Sequence, residues 1–228
     1  MTGRISTTLG ILALAAAVSP ATQALEPGLY FELSVGKSKF KDLGTESVDA
    51  FARGFFEYYD LPVQSLSSTV DDTDGSYAIT TGYRLNRYLA GEVSYFRLGA
   101  SQYYAQGTVS DGGSILPATF WVGYRSKGIA IGGAATLPVG RYLELRARGG
   151  ISNTDTRLKF TATVESDELS DKSSDNSQDF YYGAGVGLNF WTYYRIGIDF
   201  TKYDGMGKAS TTGDTDIDNV QLSFSYQY

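Results

Sequence analysis

Eight stretches of this sequence alternate apolar and polar residues, and the connections between them are by turns short and long. Successive strand side chains point to opposite faces, so strict alternation marks an extended segment with one apolar and one polar side. The stretches fall near 29–37, 76–85, 88–98, 129–137, 143–151, 180–190, 195–201 and 218–228. In the last, Val220, Leu222, Phe224, Tyr226 and Tyr228 share one face and Gln221, Ser223, Ser225 and Gln227 the other. Connections at 86–87, 138–141 and 191–193 are short enough to force antiparallel hairpins. Those at 37–75, 99–127, 154–179 and 203–216 are long.

Alternation alone also fits a secreted soluble sandwich with its apolar face inward. Two features turn that face outward. The fifth stretch sets Glu144, Arg146 and Arg148 opposite Leu143, Leu145, Ala147 and Ile151, a charged column that a soluble core could not bury. Tyr88, Tyr142, Trp191, Tyr193 and Tyr194 flank the short turns, where aromatic girdles meet a membrane interface. The stretches also approach the roughly ten residues that a tilted membrane strand needs. The expected fold is all-β: an eight-stranded antiparallel up-and-down transmembrane β-barrel with short periplasmic turns, long extracellular loops and both termini at the periplasmic rim.

Residues 1–24 carry Arg4 as their only charge, an apolar run from 9 to 18 and small residues before a cut after Ala24. This is the layout of a secretory signal peptide, too short to span a bilayer as a helix. The expected division is a signal peptide at 1–24 and a barrel domain at 25–228. Loss of Arg4 takes the net charge from −6 to −7, which gives no electrostatic reason to expect nucleic acid. Cysteine and histidine are both absent, so neither a disulfide framework nor the usual zinc or haem ligands are available.

The segments YLAGEVSYFRLG, TLPVGRYLELRARGG, YYGAGVGLNF and LSFSYQY, in this order and spacing, resemble the OmpA-type transmembrane domain of Gram-negative outer-membrane proteins over nearly all of the mature chain. The resemblance implies residence in the cell outer membrane and a structural and surface-interaction role. The chain stops at the eighth strand, without the periplasmic peptidoglycan-binding domain of longer relatives, and a cell-wall tether is not expected. The terminal aromatics Phe224, Tyr226 and Tyr228 match the C-terminal signature that the resembled proteins present to the barrel-assembly machinery.

With polar faces inward, the lumen collects Glu32, Glu92, Glu144 and Asp199 together with Arg84, Arg146, Arg148 and Arg195. Charges inside a barrel this narrow must pair or be solvated, so the expected lumen is a charged plug. In the resembled family an inward Glu on the third strand joins a switchable network, and Glu92 stands at the matching place, with Arg146 or Arg148 as its expected partner. Ala134 and Gly187 stand where the family's best-known member has charged lumen residues, so its gating does not carry over. The inward glycines of the sixth stretch serve either curvature or room for the arginines of the fifth.

In the first long connection Val48, Phe51, Phe55 and Tyr58 follow helical spacing. This predicts a short amphipathic helix that caps the barrel mouth, rests on the outer leaflet or meets a partner. The second reads as strands running on to a tip at Asp111, Gly112 and Gly113. The third is an acidic, serine-rich run, read as a solvated loop or a collector of divalent cations between lipopolysaccharide head groups. It lacks the residue pattern of a calcium loop. The fourth, GMGKASTTGDTD, is small and polar.

Without histidine the lipid- and protein-hydrolysing barrels that use it as base or water activator are excluded. No catalytic, metal or cofactor site is expected. The reading is a non-enzymatic barrel whose partners are outer-membrane lipid and lipopolysaccharide, the assembly machinery through the last strand, and an extracellular ligand through the loops. A narrow porin-like pore for small solutes or ions is the alternative.

Overall fold

Period-two alternation dictates strands, and the computed structural model, which describes residues 27–41, 45–191, 193–208 and 213–228, is built of them. The signal peptide expected at 1–24 and the tip of the fourth long connection lie outside the described residues. The elements are β1 (Gly28–Phe40), α1 (Thr45–Tyr58), β2 (Val63–Asp71), β3 (Thr73–Arg84), β4 (Leu89–Asp111), β5 (Ser114–Val139), β6 (Leu143–Val164), β7 (Asp167–Phe190), β8 (Tyr194–Lys208) and β9 (Gly213–Gln227). Neighbours pair antiparallel in the order β4-β3-β1-β9-β8-β7-β6-β5, and β4 pairs again with β5. The ring therefore closes with eight strands. β2 prolongs β3 along the flank of β4, from Asp71 opposite Gln102 to Val63 opposite Val109. The closing seam joins β1 to β9, with Glu32 opposite Ser225 and Phe40 opposite Ile217.

Burial decides which way the faces point. Phe31 and Leu33 are 55% and 58% exposed while Glu32 between them is 0% exposed, the inverse of a soluble protein. The same inversion runs along β6, where Leu145 is exposed between buried Glu144 and Arg146. Apolar side chains that face outward in this way lie against lipid, and Tyr142, Trp191, Tyr193 and Tyr228 stand exposed near the short turns. No helix among the described residues is long and apolar enough to cross a membrane; the strands do so.

β4, β5, β6 and β7 run for 23, 26, 22 and 24 residues, about twice the length that crosses a bilayer. Their outer halves rise beyond the apolar belt as a paired sheet joined at one flank by β2. The tip between β4 and β5 is the expected Gly112–Gly113 turn, both residues at positive φ. The acidic run, expected as a solvated loop, is the outer half of β7: Asp167 to Asp179 pair residue by residue with β6. Its side chains are mostly exposed, but its backbone is in the ladder. The 63–71 segment, counted above within a long connection, is likewise a strand.

α1 covers the inward face of this extension. Ala52 and Phe56 are buried against Tyr103, Val109, Ala118 and Phe120, with Val48, Phe55 and Phe160 packed around them. The buried stripe is thus Val48, Ala52, Phe55 and Phe56. Phe51 and Tyr58 of the expected stripe are 49% and 82% exposed, although Phe51 still meets Phe120 edge-on at 5.9 Å between ring centroids. Below the helix a second cluster of buried apolar residues lies at inward positions: Phe40, Phe96, Leu98, Tyr124, Tyr181, Tyr203, Met206 and Ile217.

Candidate functional site

Beneath that aromatic layer the inward positions become polar, and strand register brings their charges together. Glu32 on β1 is the hub. Its carboxylate accepts hydrogen bonds from Arg146 Nη1 at 2.6 Å and Arg148 Nη2 at 2.8 Å, with Arg195 Nη1 at 3.4 Å. β1 and β6 stand four places apart in the ring, so the Glu32 contacts with Arg146 and Arg148 are struts between opposite walls. Arg195 on β8 also donates from Nε to Glu144 at 2.6 Å and lies 3.4 Å from Asp199. Asn189 donates to the other Glu144 oxygen at 2.9 Å, and Ser223 donates to Asp199 at 2.5 Å. Arg148 Nη2 comes within 3.7 Å of Asp199.

Glu92 sits at the edge of this cluster rather than at its centre. Its shortest contact is the Tyr30 hydroxyl, which donates to Oε1 at 2.5 Å. Arg146 and Arg148, its expected partners, each stand 4.0 Å away. Arg84 is buried without joining the hub: its guanidinium lies 5.7 Å over the Tyr30 ring, and its Nε has no hydrogen-bond partner among the described residues. Tyr30 thus has two guanidinium groups over its ring, since Arg146 lies 5.8 Å from the same centroid. The eight charged residues named from the sequence all line one compartment, four of each sign, and their formal charges cancel.

Inward glycines make the space. A Cβ at Gly187 or Gly197 would lie 2.5 or 2.6 Å from the Arg195 guanidinium, and one at Gly185 would meet Asp199 Oδ1 at 2.1 Å. The room on β7 is thus taken by side chains of β8, not by the arginines of β6. Tyr30 and Ser223 have a role here that the charge pattern did not single out. Nor did it reveal the aromatic layer, although the signal was present: followed upward, the inward column of β4 passes from Glu92 and Ser94 to Phe96 and Leu98.

At the seam, Phe224, Tyr226 and Tyr228 all point outward, 44%, 37% and 87% exposed. Tyr194 packs on Phe224 and Tyr226 with ring centroids 5.9 and 5.2 Å apart, and the Tyr228 amide donates to the Leu29 carbonyl at 2.8 Å.

A closed eight-stranded ring, lipid-facing apolar residues and a charged lumen meet in the family whose model covers residues 8–228, described as outer membrane protein beta-barrel domain. The chain belongs to this outer-membrane β-barrel family. As a member of it, the protein resides in the outer membrane of a Gram-negative cell envelope. Solved outer-membrane barrels are similar. The attachment invasion locus protein Ail of Yersinia pestis, solved with the heparin analogue sucrose octasulfate, is 13% identical at a TM-score of 0.49, over 89% of this chain and 99% of Ail. Neisserial surface protein A is 11% identical at 0.45, over 88% of this chain and 97% of its own. OprG from Pseudomonas aeruginosa is 12% identical at 0.43, over 91% and 99%. No curated protein matches the chain.

Proposed function

We propose that this family member is a non-conducting, non-enzymatic barrel that reinforces the outer membrane and holds a rigid extracellular platform above it. The observation that carries this reading is the stacking of two side-chain layers along one lumen, the Glu32 hub and the aromatic layer around Phe96 and Tyr203, below the extension whose inward face α1 covers. At the periplasmic end one small cavity beside Tyr30, Arg84, Tyr194 and Arg195 has about 10 Å³, room for about one water. An extracellular ligand would meet the outer halves of β4 to β7, which are paired strands and so present a surface of fixed shape. Liposomes carrying the folded protein should swell in arabinose no faster than empty ones. Swelling at porin-like rates would establish the narrow-pore alternative instead.

The terminal aromatics serve assembly in this reading. Phe224, Tyr226 and Tyr228 are the last outward residues of the strand that closes the ring, available to the assembly machinery before β1 pairs with it. Deleting Tyr228 is expected to lower the amount of inserted barrel in cells while leaving the unfolding midpoint of purified, folded protein nearly unchanged. Normal insertion of the shortened chain would refute this.

A further inference from the structure

The outer face of the extension carries a charge arrangement that the barrel does not need. Two residues beyond the last lipid-facing positions of β4 and β5, Tyr95 and Ile129, stand Arg97 and Lys127, directly opposite each other. Next above, Arg125 on β5 faces Arg157 on β6. Lys159 on β6 then faces Lys172 on β7. Three like-charged pairs thus follow one another up one flank, at a spacing where like charges repel and destabilise a sheet. Among the described residues a single carboxylate answers them: Asp155, 3.6 Å from Lys127 and 3.2 Å from Arg157. On the other flank three lysines above the belt each have a carboxylate beside them. There Lys41 lies 2.7 Å from Asp218, Lys202 2.5 Å from Asp216 and Lys39 3.6 Å from Asp72.

Four of the like-paired cations, of which only Arg157 has a carboxylate partner among the described residues, also surround a space. Arg125, Arg157, Lys159 and Lys172, with Trp121 and the serines at 173 and 174, line a cleft of about 740 Å³, and Lys159 rests 5.8 Å over the Trp121 ring as one wall of it. We propose that this flank is a binding site for the phosphorylated saccharide head of the outer-leaflet glycolipid, lipopolysaccharide. Guanidinium and ammonium groups bind phosphate through charge-assisted hydrogen bonds, bidentate for arginine. The repulsion within each pair is removed when an anion sits between its members. Position selects the source. The ladder of cations begins where the lipid-facing belt of the same strands ends, so a lipid whose acyl chains lie on Tyr95 and Ile129 brings its head group to Arg97, Lys127 and the cleft above.

The test uses the folded full-length protein in nanodiscs of zwitterionic lipid, titrated with bisphosphorylated lipid A, with fully dephosphorylated lipid A and with a soluble heparin-type saccharide. Arg157→Gln combined with Lys159→Gln should weaken binding of bisphosphorylated lipid A at least tenfold. Lys37→Gln combined with Lys39→Gln, on the other flank, should leave it unchanged. Dephosphorylated lipid A should bind wild type no better than it binds the double variant. Equal lipid A affinity in wild type and double variant, or no dependence on phosphate, overturns the site; saccharide binding that needs these residues while lipid A binding does not overturns its assignment to the glycolipid. Should the double variant fail to fold, Lys172→Gln gives an independent reading. Without lipid A it should unfold at a higher denaturant midpoint than wild type, because it relieves Lys159, and with saturating lipid A at a lower one. A shift of the same sign under both conditions also overturns the site.

Discussion

Glu32 and Glu92 are both buried carboxylates on the lumen wall, and their surroundings assign them different weights. Glu32 faces three guanidinium groups within 3.4 Å; Glu92 is bound first by a phenol, with its nearest guanidinium nitrogens at 4.0 Å. Removing one partner from a buried ion pair leaves the other charge uncompensated and costs about 3–5 kcal/mol, whereas losing a single hydrogen bond to a charged group costs about 1.5–3 kcal/mol. Glu32→Gln is therefore expected to lower the stability of the membrane-inserted barrel by about 3–5 kcal/mol, and Glu92→Gln by clearly less, in urea unfolding from lipid vesicles. The reverse ranking would move the hub. That all eight charges point inward was legible in the period-two pattern, since it depends only on side-chain direction. Which of them meet was not legible, because Glu32 reaches β6 across the lumen, and that contact is set by the relative heights of opposite walls rather than by spacing along any one strand.

At the scale of an element, α1 shows how far local pattern reaches. Helical spacing placed the helix and gave Val48, Phe51, Phe55 and Tyr58 as its apolar face. Packing selected Ala52 and Phe56 in place of Phe51 and Tyr58, since a small residue lets the helix approach Tyr103 and Phe120 closely. A polar latch fixes the approach: the Tyr103 hydroxyl donates to Asp49 of α1. Burial first, and then this bond, push the Tyr103 phenol well above its ordinary range, so it remains a donor at physiological pH. Phe56, 2% exposed, is the main anchor. Phe56→Ala is expected to cost about 3–5 kcal/mol of local docking energy and to open the 45–62 segment to protease while the barrel keeps its heat-dependent gel mobility. An uncut segment would mean that α1 is held by something other than this contact. The long hairpins carried a weaker signal. Polar, serine-rich strands such as outer β7 lack an apolar column of their own, and their pairing follows from the register of the membrane-embedded half below.

For the whole molecule, the order of the layers determines what a single change can do. The charged layer and the aromatic layer occupy different heights of one lumen, and on the proposed reading each is a seal: Arg195 lies against Gly187 and Gly197, and Phe96 lies on Tyr203 with ring centroids 4.8 Å apart. A path through the barrel requires an opening in both. Phe96→Ala removes one ring from the upper layer and leaves the Glu32 hub beneath it untouched; Arg195→Ser loosens the hub and leaves the rings. Each alone is expected to show the baseline conductance of wild type in a planar bilayer, and the two together to admit small ions. All three variants should first be shown to keep the gel-mobility shift on heating that marks a closed barrel, whose backbone groups are paired within the ring. Steady channels from Phe96→Ala alone would mean that the charged layer is solvated and permeable, and the lumen would then be a pore with an aromatic gate instead of two independent seals.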